Sequence, residues 1–195
     1  MKIGIFGGCF NPPHKMHKAI CDELLKRKIV DKIIIVPVGE LYEKSELASN
    51  IDRYNMLDIL FNDNNKVEIS KFEFQDKQVY TYQTLLHFNE KEPQNEICFI
   101  CGVDNLNEIA TWKEFYTVIK DFRIIAVKRA GTRLNCEYKN LILQGFKIEV
   151  VDINSERISS TAIRLWLKNN NIENLQKYID EKVLKYLLNS GTYQQ

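Results

Sequence analysis

His14 and His17 stand three residues apart in GGCFNPPHKMH (7–17), directly behind two glycines and two prolines. Side chains at that spacing share one face of a helical turn. Gly7 and Gly8 carry no Cβ, so their backbone can close on a ligand and offer N–H groups to an anion. Pro12 and Pro13 stiffen the turn and sit where a helix can begin. Helix N-termini favour negative charge, so two imidazoles among exposed amides fit a phosphate. The glycine spacing is not G-x-G-x-x-G, and the dinucleotide fingerprint does not apply. A zinc site would need further ligands; His87 is the third and last histidine, and HxxH lacks the HExxH pattern. The plain alternative is two surface histidines on a helix, against which the glycines and prolines in front weigh.

A second candidate lies far along the chain, in ERISSTAIR (156–164). Ser159, Ser160 and Thr161 open a helix and Arg164 follows one turn in. Amides, hydroxyls and a guanidinium then converge on one spot. Alone, this segment reads as an ordinary helix cap with a solvated arginine. Two helix-start anion sites in one chain point instead to a polyphosphate ligand.

The elements that must position these residues follow from periodicity. Apolar runs recur at 2–7, 32–38, 66–70, 96–101, 123–128 and 147–152, several of them continuous rather than alternating, as strands covered on both faces read. Helical spacing occupies the intervals: 14–28 with Met16, Ile20 and Leu24 on one stripe, then 50–61, 80–89 and 112–119. The alternation predicts an α/β fold, a Rossmann-like doubly wound parallel sheet with C-terminal helices. A helix is expected from Ser159 to Asn169, and 173–188 reads as one more amphipathic helix. Irregular structure is expected at 39–50 and 129–140. The whole chain, 1–195, reads as one domain, with a core over 1–152 and a helical part over 153–195. Such a fold binds ligand at the carboxyl ends of its strands.

Composition narrows the class. A chain of 195 residues buries roughly 70% of the surface its unfolded form exposes and needs no staples. Lys plus Arg number 27 against 26 Asp plus Glu, so no global field holds a nucleic acid polymer or a membrane. No apolar run approaches a membrane span, and the N-terminus reads as a strand rather than a leader. The five cysteines are expected as free thiols in a reducing cytoplasm. Cys98 and Cys101 have CxxC spacing, yet they lie in an apolar strand-like run and read as small buried hydrophobes.

GGCFNPPHKMH with ISSTAIR (158–164) resembles the HxGH nucleotidylyltransferase superfamily. ICFICGVDNLNEIATWKEF (97–115), VYTYQTL (79–85), VPVGELYEK (36–44) and VKRAG (127–131) narrow the likeness to the nicotinate mononucleotide adenylyltransferases. The match runs in the family's order over nearly the whole chain. It implies transfer of AMP from ATP to nicotinate mononucleotide, giving nicotinate adenine dinucleotide and pyrophosphate, with Mg²⁺ carried by ATP and no metal site of the protein's own.

The resemblance also implies roles. Gly7, Gly8, Cys9 and Phe10, with His14 and His17, would bind ATP, and His17 would support the reacting α-phosphate. Lys44 would reach the phosphates from its loop; Ser159, Ser160, Thr161 and Arg164 would hold the β- and γ-phosphates. Gly102 and Asp104 would lie at the adenosine, while Tyr80, Thr81, Trp112 and Arg129 would bind the acceptor. His14, His17, Lys44 and Arg164 form the implied catalytic set. Periodicity alone reads Trp112 as a core aromatic. The chain departs from the family's pattern at Met16 (a glycine in HxGH), Asn11 (aspartate), Val79 (serine), Glu43 (histidine) and Asp180 (proline). Those departures keep open a relative with another acceptor or a CTP donor, and a nucleotide-binding relative without activity. Assembly into a homo-oligomer is allowed.

Overall fold

Six short apolar segments pair side by side as parallel strands: β1 (Lys2–Gly8), β2 (Lys32–Pro37), β3 (Val67–Ile69), β4 (Glu96–Gly102), β5 (Arg123–Lys128) and β6 (Ile148–Asp152). Their order across the sheet is β3-β2-β1-β4-β5-β6, with β1 paired to both β2 and β4. The helices are α1 (Lys15–Lys26), α2 (Asn50–Phe61), α3 (Thr81–Lys91), α4 (Val103–Leu106), α5 (Phe115–Asp121), α6 (Cys136–Leu143), α7 (Ser160–Lys168), α8 (Ile172–Tyr178) and α9 (Glu181–Ser190), and a 3-10 turn covers Ile109–Thr111. This computed structural model describes residues 1–42, 46–129, 131–153 and 158–193, the side chains of Cys136 and Glu137 apart.

The continuous apolar runs are explained by helices on both faces. On one face Ile33, Ile35, Ile100 and Ile125 pack with Leu24 of α1, Leu57 of α2, Ile163 of α7 and Leu187 of α9. On the other Ile3, Ile5, Ile34 and Phe99 pack with Leu85 of α3, Leu106 of α4 and Val118 of α5. Successive strand residues point to opposite faces. Cys98 and Cys101, three apart, therefore belong to different core layers. They cannot share a metal or close a disulfide, which is the buried-hydrophobe reading. Burial pushes both thiols up, Cys98 to about 11 and Cys101 to about 12.

Three expectations need correction. The stretch 173–188 is two helices: Ile179 and Asp180 are extended, at ψ 141° each, and the Asp180 carboxylate caps α9 by accepting from the Lys182 N–H at 2.9 Å. An apolar stripe with i, i+4 spacing ran unbroken across that joint because both helices face the same core. The irregular stretch 129–140 ends early, with α6 starting at Cys136. The helix expected over 112–119 begins only at Phe115; Trp112 is extended and Glu114 takes a left-handed φ of 53°.

Met16 lies on the same face as Ile20 and Leu24 and packs, partly buried, against the α1–α2 side of the core. Met16 is not among the residues that line the cavity described below, so its departure from the family's glycine gives no reason to expect lost activity. No helix among the described residues is long and apolar enough to cross a membrane.

The chain leaves β1 toward β2 on one side and meets β4 on the other. A crevice opens at such a switch in strand order, beyond the carboxyl ends. Gly7, Gly8, Cys9 and Phe10 of the GGCFNPPH turn line it.

Candidate active site

The turn after β1 is held by several independent contacts. Phe10 sits at φ 45°, in the left-handed region bulky side chains rarely adopt. Its buried ring packs edge-on against Phe6 at 5.4 Å and His17 at 4.9 Å between centroids. Gly8 makes room for it, since a Cβ there would come within 3.3 Å of the Phe10 ring. The Asn11–Pro12 bond is cis. Asn11 is fully buried: its amide donates to the Glu46 carbonyl at 2.8 Å, and its Oδ1 accepts from the Ala48 N–H at 2.9 Å and from the Tyr193 hydroxyl. The capping oxygen that survives the Asp-to-Asn departure thus ties the turn to the loop after β2 and to the C-terminal turn.

His14 is the N-cap of α1, and its N–H donates to His17 Nδ1 at 3.1 Å. The two rings stack at 3.8 Å between centroids. A neutral His17 accepting at Nδ1 carries its proton on Nε2. His14 Nδ1 is buried with no partner among the described residues. Burial first, then the Arg129 cation, pulls His14 down to about 3. Burial, His14 and Arg129 together hold His17 well below the usual imidazole range. Both rings are therefore neutral at pH 7, and an arriving anion would offset the charge that keeps them so.

The start of α7 closes on the same turn. Ser159 caps the helix by accepting from the Ala162 N–H at 3.2 Å, and the Ser160 hydroxyl donates to the Pro12 carbonyl at 2.9 Å. Neither α1 nor α7 has an acidic residue in its first turn. Thr161 is exposed on the rim. Arg164 is buried rather than solvated: its guanidinium donates to the Asn11 carbonyl at 2.9 Å and meets the Glu46 carboxylate at 3.3 Å. Glu46 also pairs with Lys168 at 2.7 Å. Arg164 thus stands behind the turn, not on the cavity wall.

The cavity itself measures about 570 Å³. Gly7, Gly8, Cys9, Phe10, His17, Ser160, Gly102, Arg129, Tyr80, Thr81 and Trp112 line it, bringing together eleven of the residues singled out from sequence. His14, Ser159, Thr161 and Arg164 lie outside its lining, as does Asp104, which pairs with Arg129 at 3.1 Å. Lys44 lies outside the described residues. Tyr80 caps α3, and the Trp112 ring meets Phe99 edge-on at 5.8 Å, so Trp112 is a wall residue and not a core helix residue.

Sequence reasoning missed several wall residues. Lys113 lies with its ammonium 4.4 Å from the Tyr80 ring centre, a cation–π contact. Its position beside Trp112 was the available signal. For Tyr42 the signal was its place in VPVGELYEK; Glu73 carried none, because it reaches the cavity through packing of a separate loop. Glu73 is buried, accepts from the Thr84 hydroxyl at 2.6 Å, and is pushed by burial up to about 7. Gly39 lets its segment approach: a Cβ on Gly39 would come within 2.2 Å of the Glu73 carbonyl oxygen.

Among the described residues, no group of three or more His, Cys, Asp or Glu is placed to hold a metal. The chemistry on offer is anion binding: paired helix starts, neutral imidazoles, hydroxyls and cations behind them.

Comparison with known proteins gives concordant matches. The cytidylyltransferase-like family model matches residues 5–165. A probable nicotinate-nucleotide adenylyltransferase of Fusobacterium nucleatum is 35% identical over 96% of this chain and 97% of its own length. One from Flavobacterium psychrophilum is 31% identical over 99% of each. Among solved structures, the Plasmodium falciparum nicotinic acid mononucleotide adenylyltransferase complexed with NaAD superposes with a TM-score of 0.86 at 25% identity, covering 98% of this chain and 97% of that one.

Proposed function

Because the chain belongs to the cytidylyltransferase-like family and, within it, to the nicotinate-nucleotide adenylyltransferases, we propose that this cavity transfers AMP from ATP to nicotinate mononucleotide. The products are nicotinate adenine dinucleotide and pyrophosphate, a step of NAD biosynthesis. One observation carries the reading. The starts of α1 and α7 are tied together through Ser160 and Pro12 on one rim of a cavity whose other wall holds Tyr80, Thr81 and Trp112. A triphosphate and an aromatic nucleotide therefore find complementary surfaces within bonding reach of each other. NaAD, with which the Plasmodium relative was solved, is the dinucleotide such a pairing would make.

In the reaction a phosphate oxygen of nicotinate mononucleotide attacks the α-phosphorus of ATP. The bond from that phosphorus to the bridging oxygen breaks, and pyrophosphate leaves with its electrons. The attacking phosphate is already ionised at pH 7, its second pKa being about 6, so no general base is required. Catalysis reduces to alignment and to stabilising charge as it shifts.

Each residue then has work of that kind. Gly7 and Gly8 let the phosphates approach the backbone, with Cys9 and Phe10 forming the floor. His17 offers Nε2–H to the α-phosphate, and His14, stacked behind it, holds it through the N–H to Nδ1 bond. As phosphate charge arrives, protonation of the imidazoles becomes less costly and strengthens the contact. Ser159, Ser160 and Thr161 meet the β- and γ-phosphates. Arg164 joins them when the triphosphate competes with Glu46 for its guanidinium. Lys44 would close from its loop. Gly102, with Asp104 and Arg129 as an ion pair, borders the adenosine, and Arg129 also faces the acceptor side. Trp112 stacks on the pyridine ring. Mg²⁺ carried by ATP would neutralise phosphate charge, which the protein's own amides, hydroxyls and cations also face. The setting is a reducing cytoplasm, in which Cys21, Cys98 and Cys101 remain buried thiols.

Pyrophosphate release tests this with ATP or CTP as donor against nicotinate mononucleotide, nicotinamide mononucleotide and phosphopantetheine as acceptors. The expected outcome is fastest turnover with ATP and nicotinate mononucleotide. Turnover confined to CTP or to phosphopantetheine overturns the reading, and so does tight ATP binding with no turnover.

A further inference from the structure

The transfer as described makes no use of Arg53, a fully buried cation of α2 that stands behind the turn after β1. Its guanidinium donates from Nε to the Ala48 carbonyl at 2.9 Å, from Nη1 to the Cys9 carbonyl at 3.1 Å and from Nη2 to Asn50 Oδ1 at 2.7 Å. The group also faces the Phe74 ring, 5.8 Å from its centre. All three acceptors are neutral. Among the described residues no carboxylate forms an ion pair with Arg53, and Glu40 and Glu73 act on it only at longer range. Buried charges are ordinarily paired, because taking a lone ion out of water is costly. A methionine would fill the same space without that cost.

Cys9 lines the cavity and Arg53 does not, so the Cys9 carbonyl is turned out of the cavity toward α2. The Asn11–Pro12 bond is the one cis peptide among the described residues. The Cys9–Phe10 peptide is therefore trans, and its N–H points opposite to its carbonyl, toward the cavity side. No described residue accepts from that Phe10 N–H. Phe10 is left-handed at φ 45°, the kind of bend in which successive N–H groups converge on an anion. A cation on the carbonyl also polarises the peptide and strengthens its N–H as a donor. We propose that Arg53 is a positioning residue for the transfer: it clamps the Cys9 carbonyl behind the turn and so presents the Phe10 N–H to the triphosphate. Its other two bonds fix the clamp, one to the Ala48 carbonyl beside the N–H that holds Asn11 Oδ1, one to Asn50 at the start of α2. Its unpaired charge has the sign that an arriving triphosphate offsets. This rests on the triphosphate assigned above.

The test follows the Phe10 amide by NMR, and the steady-state constants, in the wild type, Arg53→Lys and Arg53→Met. In the wild type the Phe10 amide resonance is expected to move downfield on saturation with ATP. Arg53→Met keeps the apolar stem and loses every donor. Its KM for ATP is expected to rise about tenfold, the loss of one hydrogen bond to a charged group, and its Phe10 amide to move less. Its KM for nicotinate mononucleotide is expected to stay within about twofold, since that wall is untouched. Arg53→Lys keeps the charge but cannot reach all three acceptors at once, and is expected to fall between the two. A purely structural role would lower Tm and kcat and leave KM for ATP unchanged; that pattern overturns the proposal, and so does an equal KM for ATP in all three proteins. If neither variant folds, the wild type decides alone: ATP binding by calorimetry with an unmoved Phe10 amide overturns the proposal, and the downfield shift sustains it. Absence of ATP binding overturns the triphosphate reading, and this one with it.

Discussion

Two residues three apart can be placed on one helical face from spacing alone, and His14 and His17 do share the first turn of α1. Spacing did not reveal that they stack on each other, or that Phe10 presses on the outer one from a left-handed backbone. Those contacts come from the turn's return path, which is a tertiary feature. The same holds for Glu73, an acid in FEFQDK with no motif around it, brought to the cavity by packing. Arg164 was legible as a residue of the site but not as one already engaged with Asn11 and Glu46. For His17, whose Nε2–H we assign as the donor to the reacting phosphate, replacement by alanine should lower kcat by about 10²-fold or more, the usual loss for one charge-stabilising donor. Circular dichroism should show the fold retained. Near-normal kcat would remove His17 from the mechanism.

Among elements, the strands were the most readable. Both sheet faces are covered by helices, so the central strands are apolar along most of their length and announce themselves. Helix ends were less readable where local chemistry, not periodicity, set them. Asp180 interrupts an unbroken stripe because its carboxylate caps α9 better than its backbone would continue α8. Trp112 escapes its apparent helix because Glu114 turns the chain left-handed before α5. Helix α1 supplies a test of how an element bears on the site. Met16 belongs to its core stripe, so Met16→Gly removes packing and adds backbone freedom, a cost of about 1–2 kcal/mol. A lower Tm with kcat within a factor of about two is expected. A large gain in kcat would place Met16 at the nucleotide instead.

For the molecule as a whole, buried titratable groups act on stability in opposite directions, the lowered His14 and His17 against the raised Glu73. His14 drops from 6.5 to about 3 on folding, so between those values the unfolded chain binds the extra proton and stability grows with pH. Glu73 rises from 4.5 to about 7, so across that window the folded chain binds the extra proton and stability falls with pH. Over the shared span, roughly pH 4.5 to 6.5, the two partly cancel. Removing the second contribution with Glu73→Gln should leave a steeper rise of Tm from pH 5 to 7 than in the wild type. Equal slopes by calorimetry would contradict the burial-driven shift of Glu73. The sheet order has a consequence of another kind. Because the strand order reverses between β1 and β4, the cavity wall proposed for the triphosphate is drawn from the β1 turn and α7, and the wall proposed for the acceptor from the start of α3 and the segment after α4. Mutation can therefore revise the acceptor side while the triphosphate cradle is inherited intact, and a lineage built on this sheet can change what it adenylates without reinventing how.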